Sequence, residues 1–262
     1  MLSNEIVVCE NLYRSFYSKE FGTKDVLRNI NFRMSSEDFV VIIGPSGCGK
    51  STLLNIIAGF DSPTAGRVMV RGRVVEEPGP EKAMVFQDYA LLPWLNAREN
   101  VEIGLRIQKV PRADRKARAL RVLDLVGLSA SAELPVYKMS GGMQQRVSIA
   151  RALALEPVVL LMDEPFGAVD AFQRAIMQRE LTRIWKATNA SIIFVTHSLD
   201  EAIFLGNRVL AMAPGGIGIT GELSIDLPRP RDPMSMDFAA LKRKLFGMLT
   251  AHLDEPANTF LE

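Results

Sequence analysis

Apolar and polar positions along this chain follow two different periods, and the changes between them outline the elements. Phe39 to Ile43 is an unbroken apolar run, the pattern of a strand buried on both faces of a parallel sheet. Ahead of it, Ile6–Val8 and the alternating stretch Val26–Met34 predict further strands, so residues 5–43 read as β-rich. Residues 67–75 predict a hairpin turning at Arg71-Gly72-Arg73, and Ala83–Phe86 a short buried strand ending at Gln87. From about Leu95 to Ala154 the period changes to that of helices. Pro111 opens one of them, with Ala117, Leu120, Leu123 and Val126 as its apolar positions and Gly127 as its stop. The basic residues Arg112, Arg115, Lys116, Arg118 and Arg121 are expected on its solvated face. Strand character returns at Val158–Met162 and at Ile192–Thr196, with a helix over 171–188 between them, which makes a βαβ unit. Past Pro228 the pattern weakens to prolines and one amphipathic stretch over 238–253.

Composition narrows the class. A chain of 262 residues, 48% of them apolar and aliphatic far more than aromatic, suits one large α/β domain with a subdomain. Lys and Arg number 31 against 30 Asp and Glu, a balance that leaves no electrostatic footprint for nucleic acid. Two cysteines, Cys9 and Cys48, provide no disulfide framework and fit a reducing compartment. The N-terminus has an acid at Glu5 and no basic segment before an apolar one, unlike a signal peptide. No apolar run approaches the roughly 18 residues that a membrane span requires, so any membrane connection is expected through a partner.

Against that background, Gly44, Pro45, Ser46, Gly47, Cys48, Gly49, Lys50, Ser51 and Thr52 fit the phosphate-loop pattern G-x-x-x-x-G-K-[ST]. Small residues let successive backbone N–H groups turn inward as a cradle for phosphate oxygens. The helix expected to begin near Lys50 aims its positive end at the same anion. Lys50 is placed to reach the β- and γ-phosphates and Ser51 to offer its hydroxyl to Mg²⁺. A buried strand before the loop and a helix after it complete the context the motif needs.

A second strand, Val158 to Met162, ends in Asp163 and Glu164, at the crevice where open α/β sheets bind ligands. Asp163 is the expected Mg²⁺ partner and Glu164 the expected general base toward the γ-phosphate. Gln87, at another strand end, is a candidate for the attacking water or the metal, and His197, after the last strand, for a phosphoryl oxygen. Asp170 reads equally as a site residue and as the N-cap of the following helix. Cys48, in a loop that attracts anions, reads either as a thiol of lowered pKa that ATP would protect or as a small space-filling residue.

At Met139-Ser140-Gly141-Gly142-Met143-Gln144-Gln145-Arg146 the chain resembles the nucleotide-binding subunit of an ATP-binding cassette (ABC) transporter, over nearly its whole length. The phosphate loop matches the family's Walker A motif, VVLLMDEP its Walker B, SGGMQQR its signature, FGAVD its D-loop and VTH its switch histidine. The resemblance implies an α/β, P-loop NTPase core with a mostly parallel sheet, an N-terminal antiparallel β subdomain and a helical subdomain (the ABC ATPase fold). It divides the chain into core and antiparallel part at 1–87 and 155–227, a helical subdomain at 88–154 and a C-terminal tail at 228–262. It also implies two copies that sandwich two ATP molecules, with Ser140, Gly141 and Gly142 of one copy facing the Walker A loop of the other. Adenine is expected to stack on Phe16, with Tyr17 and then Tyr13 as alternatives. Met139 and Met143 stand where the common signature has Leu and Gln, and Ser198 where an Asp usually follows the histidine.

Gln87-Asp88-Tyr89-Ala90-Leu91-Leu92-Pro93-Trp94, SGGMQQR and Leu227-Pro-Arg-Pro-Arg-Asp232 narrow the likeness to importers of nitrate, taurine and alkyl sulfonates. This implies an ATPase at the cytoplasmic face of the cell membrane that drives a transmembrane permease and, indirectly, depends on a solute-binding protein. Tyr89, Leu92, Pro93 and Trp94 are then expected to help form the groove that receives the permease. The rival reading, a soluble ABC-type ATPase acting on nucleic acid or ribosomes, usually carries two cassettes or a long coiled-coil insertion, and neither is present in the sequence.

Overall fold

The computed structural model describes residues 4–20, 22–167 and 169–251. Its strands and helices run β1 (Glu5–Ser18), β2 (Gly22–Ser35), β3 (Phe39–Ile43), α1 (Lys50–Ala58), β4 (Ala65–Val70), β5 (Arg73–Val74) and β6 (Lys82–Val85). Next come α2 (Ala97–Ile107), α3 (Arg112–Leu125), α4 (Gly141–Leu153), β7 (Val159–Asp163), α5 (Ala171–Thr188) and β8 (Ile192–Thr196). The described chain closes with α6 (Leu199–Leu205), β9 (Arg208–Ala213), β10 (Gly218–Ser224) and α7 (Met236–Thr250).

Two sheets organise the molecule. The larger has the order β10-β9-β3-β8-β7-β6, parallel from β9 to β6 with β10 antiparallel at one edge. The smaller is antiparallel, in the order β2-β1-β4-β5. Successive strand residues point to opposite faces. In β3, Phe39, Val41 and Ile43 join one core, with α2 to α5, whereas Val40 and Ile42 join a second core, with the antiparallel sheet. Helix α1 lies in that second core between the two sheets, which is why Leu53, Leu54, Ile56 and Ile57 are all buried. The expected βαβ unit is present, with β7 and β8 adjacent and parallel on either side of α5.

Arg71 and Gly72 both take positive φ, 47° and 73°, the backbone that a two-residue hairpin turn demands. Gly127, at φ 68°, follows the end of α3 in the left-handed region, as a helix stop should. One face needs correction. Ala117 and Leu120 are exposed, and α3 buries Ala119, Val122 and Leu123, with Val126 just beyond. Steps of three rotate the face by about 60° each, so Ala117 and Val126 lie on opposite sides of the helix. Of the basic residues, Arg112, Lys116 and Arg121 are exposed as expected, whereas Arg115 and Arg118 are half-buried, Arg115 donating to the Val110 carbonyl at 2.7 Å.

The tail is anchored. Helix α7 packs on α6, β9 and β10, and Lys242 reaches Asp200 at 2.7 Å. Arg229 and Arg231 donate to carbonyls at the end of α6, including Phe204 from Arg229 (2.9 Å) and Ile203 from Arg231 (2.5 Å). A helix end leaves such carbonyls without partners, and here two guanidinium groups satisfy them. The expected amphipathic stretch over 238–253 ends beyond the described residues. Among the described residues no helix is long and apolar enough to cross a membrane.

Candidate nucleotide site

The phosphate loop leaves β3 at Gly44, and its shape explains its glycines. A Cβ on Gly44 would come within 2.5 Å of the Met212 carbonyl oxygen. Gly49 holds φ 100°, a conformation few side chains tolerate. The helical bonding of α1 begins with Leu53 donating to Gly49 (2.9 Å), so the N–H groups of Lys50, Ser51 and Thr52 are free for an anion.

Lys50 is only 5% exposed, and its ammonium donates to the carbonyls of Gly44 (2.9 Å) and Pro45 (3.0 Å). Ser51 donates its hydroxyl to Asp163 Oδ1 at 3.0 Å, and burial raises the Asp163 carboxyl above its ordinary value. Glu164 Oε1 lies 3.9 Å from Lys50 Nζ, and Glu164 Oε2 lies 2.9 Å from His197 Nδ1. An ionised carboxylate can only accept, so Nδ1 carries the proton in that contact and Nε2 of neutral His197 is left as an acceptor. Glu164 itself holds φ 41°, a strained backbone for a non-glycine residue, fixed by its N–H donating to Val195 (3.1 Å).

Ser46, Gly47, Gly49, Lys50, Ser51, Thr52, Gln87, Asp163 and Glu164 line one cleft of about 370 Å³, with Val26 of β2 at its rim. The sequence expectations for these residues thus converge on one place. A hydroxyl, a carboxylate and an amide oxygen are hard donors that suit Mg²⁺, which is held by one or two carboxylates and the phosphates rather than by a protein cage.

Other expected residues stand elsewhere. Ser140, Gly141 and Gly142 open α4 and do not line the cleft. Ser140 caps the helix by accepting from Met143 N–H (3.4 Å), and the first helical bond runs from Gln144 to Ser140, so the N–H groups of both glycines are free. Asp170 is the N-cap of α5, accepting from Phe172 and Gln173 at 3.0 Å. Phe16 is 42% exposed near the end of β1, with the Arg14 guanidinium 4.3 Å from its ring centre. Cys48 corrects the reactive-thiol expectation. Its side chain is buried, and desolvation raises its pKa despite the nearby ammonium of Lys50.

Sequence reading missed Glu201. It is buried, accepts from the Thr196 hydroxyl at 2.5 Å and lies 3.7 Å from Arg174, whose other end donates to Val169 (3.0 Å). Thr196 in turn accepts from Ser198 N–H at 3.0 Å, so both neighbours of His197 are held. A lone Glu in a helix gives no signal of this. Ser198 caps α6 by accepting from Glu201 N–H, a task its short polar side chain can perform.

Comparison with known proteins agrees with this geometry. The ABC transporter family model matches residues 27–167. The chain is 50% identical over 204 residues to the taurine import ATP-binding protein TauB of Pseudomonas aeruginosa, covering 78% of each. It is 47% identical over 220 residues to the bicarbonate transport ATP-binding protein CmpD of Synechocystis, covering 82% of this chain and 78% of the relative. Among solved structures, it resembles the dimeric post-hydrolysis state of the ATP-binding cassette MJ0796 bound to ADP and Pi, with TM-score 0.73 and 31% identity over 85% of this chain and all of that one. The chain is therefore an ATP-binding and ATP-hydrolysing cassette of the ABC transporter family.

Proposed function

We propose that this cassette powers import of a small anion. Two copies close on two ATP molecules, and the closure moves a permease. The observation that carries the reading is the incomplete cleft. Walker A, Gln87, Asp163 and Glu164 share it, while Gly141 and Gly142 of the same chain, with their two bare N–H groups, do not line it. A second copy supplies a matching cradle for the γ-phosphate, and ATP then joins the two. The likeness to a dimeric cassette supports this arrangement.

Within it, the loop from Gly44 to Thr52 binds the phosphates and Lys50 exchanges its carbonyl partners for them. Ser51, Asp163 and Gln87 would hold Mg²⁺, whose charge would offset that of the phosphates. Glu164 accepts the proton of the attacking water, held in place by His197. To donate to the γ-phosphoryl while keeping Glu164, His197 must carry a proton on both nitrogens. Phe16 stacks on adenine, and Asp170, which caps α5, meets the partner copy.

The permease is received in a groove of about 530 Å³ between the lobes, lined mainly by apolar side chains such as Phe60, Phe86, Ile107 and Leu155. Of the residues expected there, none of Tyr89, Leu92, Pro93 and Trp94 lines it; their neighbour Ala90 does, and Trp94 is exposed. The partition into a core at 1–87 and 155–227, a helical subdomain at 88–154 and a tail at 228–262 belongs to this reading, as do the cytoplasmic face and the solute-binding protein. The named relatives are ATP-binding proteins of taurine import and bicarbonate transport, which supports a small solute bearing an anionic group. The test is transport: vesicles containing the permease and this cassette, with the solute-binding protein outside, should take up taurine, nitrate, an alkyl sulfonate or bicarbonate only with ATP inside. Uptake without ATP, or none of any anion, would count against the proposal.

A further inference from the structure

Helix α4 carries the Ser140–Gly142 cradle at its start and Arg151 near its end. The Arg151 guanidinium donates to the carbonyls of Ala90 (2.5 Å) and Tyr89 (2.8 Å). Those two residues are consecutive and both left-handed, with φ 58° and 48°, a costly backbone for Tyr and Ala that must be held by its surroundings. The hydrogen bonds of the Arg151 guanidinium among the described residues both go to this turn. The side chain of Tyr89 runs to the other end of the same helix. Its hydroxyl lies 3.3 Å from where a Cβ on Gly141 would sit. The turn two residues beyond Gln87 is therefore bonded to α4 near its end through Arg151 and lies against its start at Gly141, along a helix about 20 Å long. Ala90 and Arg151 also form part of the wall of the apolar groove.

We infer that Arg151 is a positioning residue that makes the Tyr89–Ala90 turn and α4 one unit. Through it, the groove, Gln87 and the signature cradle keep a fixed relation, and the glycine N–H groups present the geometry that a partner's γ-phosphate requires. Ordinary packing of α4 does not require this. The helix has its own buried face in Val147, Ile149, Ala150 and Leu153, and a half-buried guanidinium directed at two carbonyls of a strained turn adds nothing to that core.

The inference rests on the ATP-sandwich reading, and one experiment separates the two. Dimerisation is followed by analytical ultracentrifugation with ATP in the Glu164→Gln background, alongside binding of a fluorescent ATP analogue to dilute monomer. Adding Arg151→Met should weaken the dimer roughly tenfold, the worth of one charged hydrogen bond, and leave monomer nucleotide affinity within about twofold. Arg151→Lys, which reaches one carbonyl as a point charge, should recover part of the loss. A role confined to folding would lower both readouts together. If Glu164→Gln alone stays monomeric with ATP, the sandwich reading fails and the inference falls with it. If Glu164→Gln dimerises and Arg151→Met does not weaken it, only the inference falls. Should Arg151→Met not fold, Arg151→Lys decides by the same pair of readouts, with an unweakened dimer overturning the inference.

Discussion

Ser51 and Asp163 are 112 residues apart in the chain, yet the hydroxyl of one donates to the carboxylate of the other at 3.0 Å. The contact joins the first turn of α1 to the end of β7 and sets two of the proposed Mg²⁺ ligands side by side. It also has a thermodynamic consequence. Burial raises the Asp163 carboxyl above its ordinary 3.8, so the folded state keeps that proton to higher pH than the unfolded chain. The sign is that of a raised acid: its contribution favours folding at low pH and turns against it as pH rises through the carboxylate range. Asp163→Asn should thus raise the melting temperature of the nucleotide-free protein at pH 7 by roughly 2–4 °C, about 1 kcal/mol in a domain of this size, while abolishing Mg²⁺-dependent ATPase activity. A lower melting temperature in calorimetry would refute the account.

Glu164 tests the chemistry. Glu164→Gln keeps the shape and loses the base, so turnover should fall about 10²–10⁴-fold while ATP-dependent dimers accumulate. His197→Ala removes the 2.9 Å contact to Glu164 and should fall in the same range. The double variant should be little worse than either alone, because the two act as one unit. Multiplicative losses in steady-state ATPase assays would show independent roles.

Arg231 tests the tail. It is 6% exposed and donates to the carbonyls of Ile203, Ile225 and Leu227. Burial and the nearby Arg229 push its guanidinium below its ordinary value, yet the ring of carbonyls needs it charged. Arg231→Ala leaves them unpaired and should cost about 3 kcal/mol, lowering the melting temperature by roughly 6–12 °C. A shift within 2 °C would mean that α6 does not depend on the tail.

Cys48 should be inert. Buried and with a raised pKa, its thiol should react with a thiol reagent roughly tenfold slower than a free cysteine, with or without ATP. A rate near that of free cysteine, measured by following the released chromophore, would restore the reactive-loop reading.

Much of the architecture is legible in one dimension because its signals are local. A run such as Phe39–Ile43 must be buried on both faces, a helix over 171–188 must lie between two apolar strands, and the phosphate loop needs its glycines within six residues. Where local pattern was weak, reading it misled. Spacing by threes in α3 selected Ala117 and Leu120, while steps of three and four through Ala119, Val122 and Val126 follow the buried face.

The elements, the nucleotide chemistry and most of the cleft were thus determined by short stretches of residues, each read against its neighbours. Only the tertiary structure decided that the Cys48 thiol is buried, that Glu201 brackets His197, that two arginines close the end of α6 and that Arg151 grips the turn after Gln87. The reason is physical. A period or a loop motif is imposed by backbone geometry over a few residues. Burial, a pKa or the partner of a lone Arg or Glu depends on what distant segments bring to it, and no spacing along the chain records that.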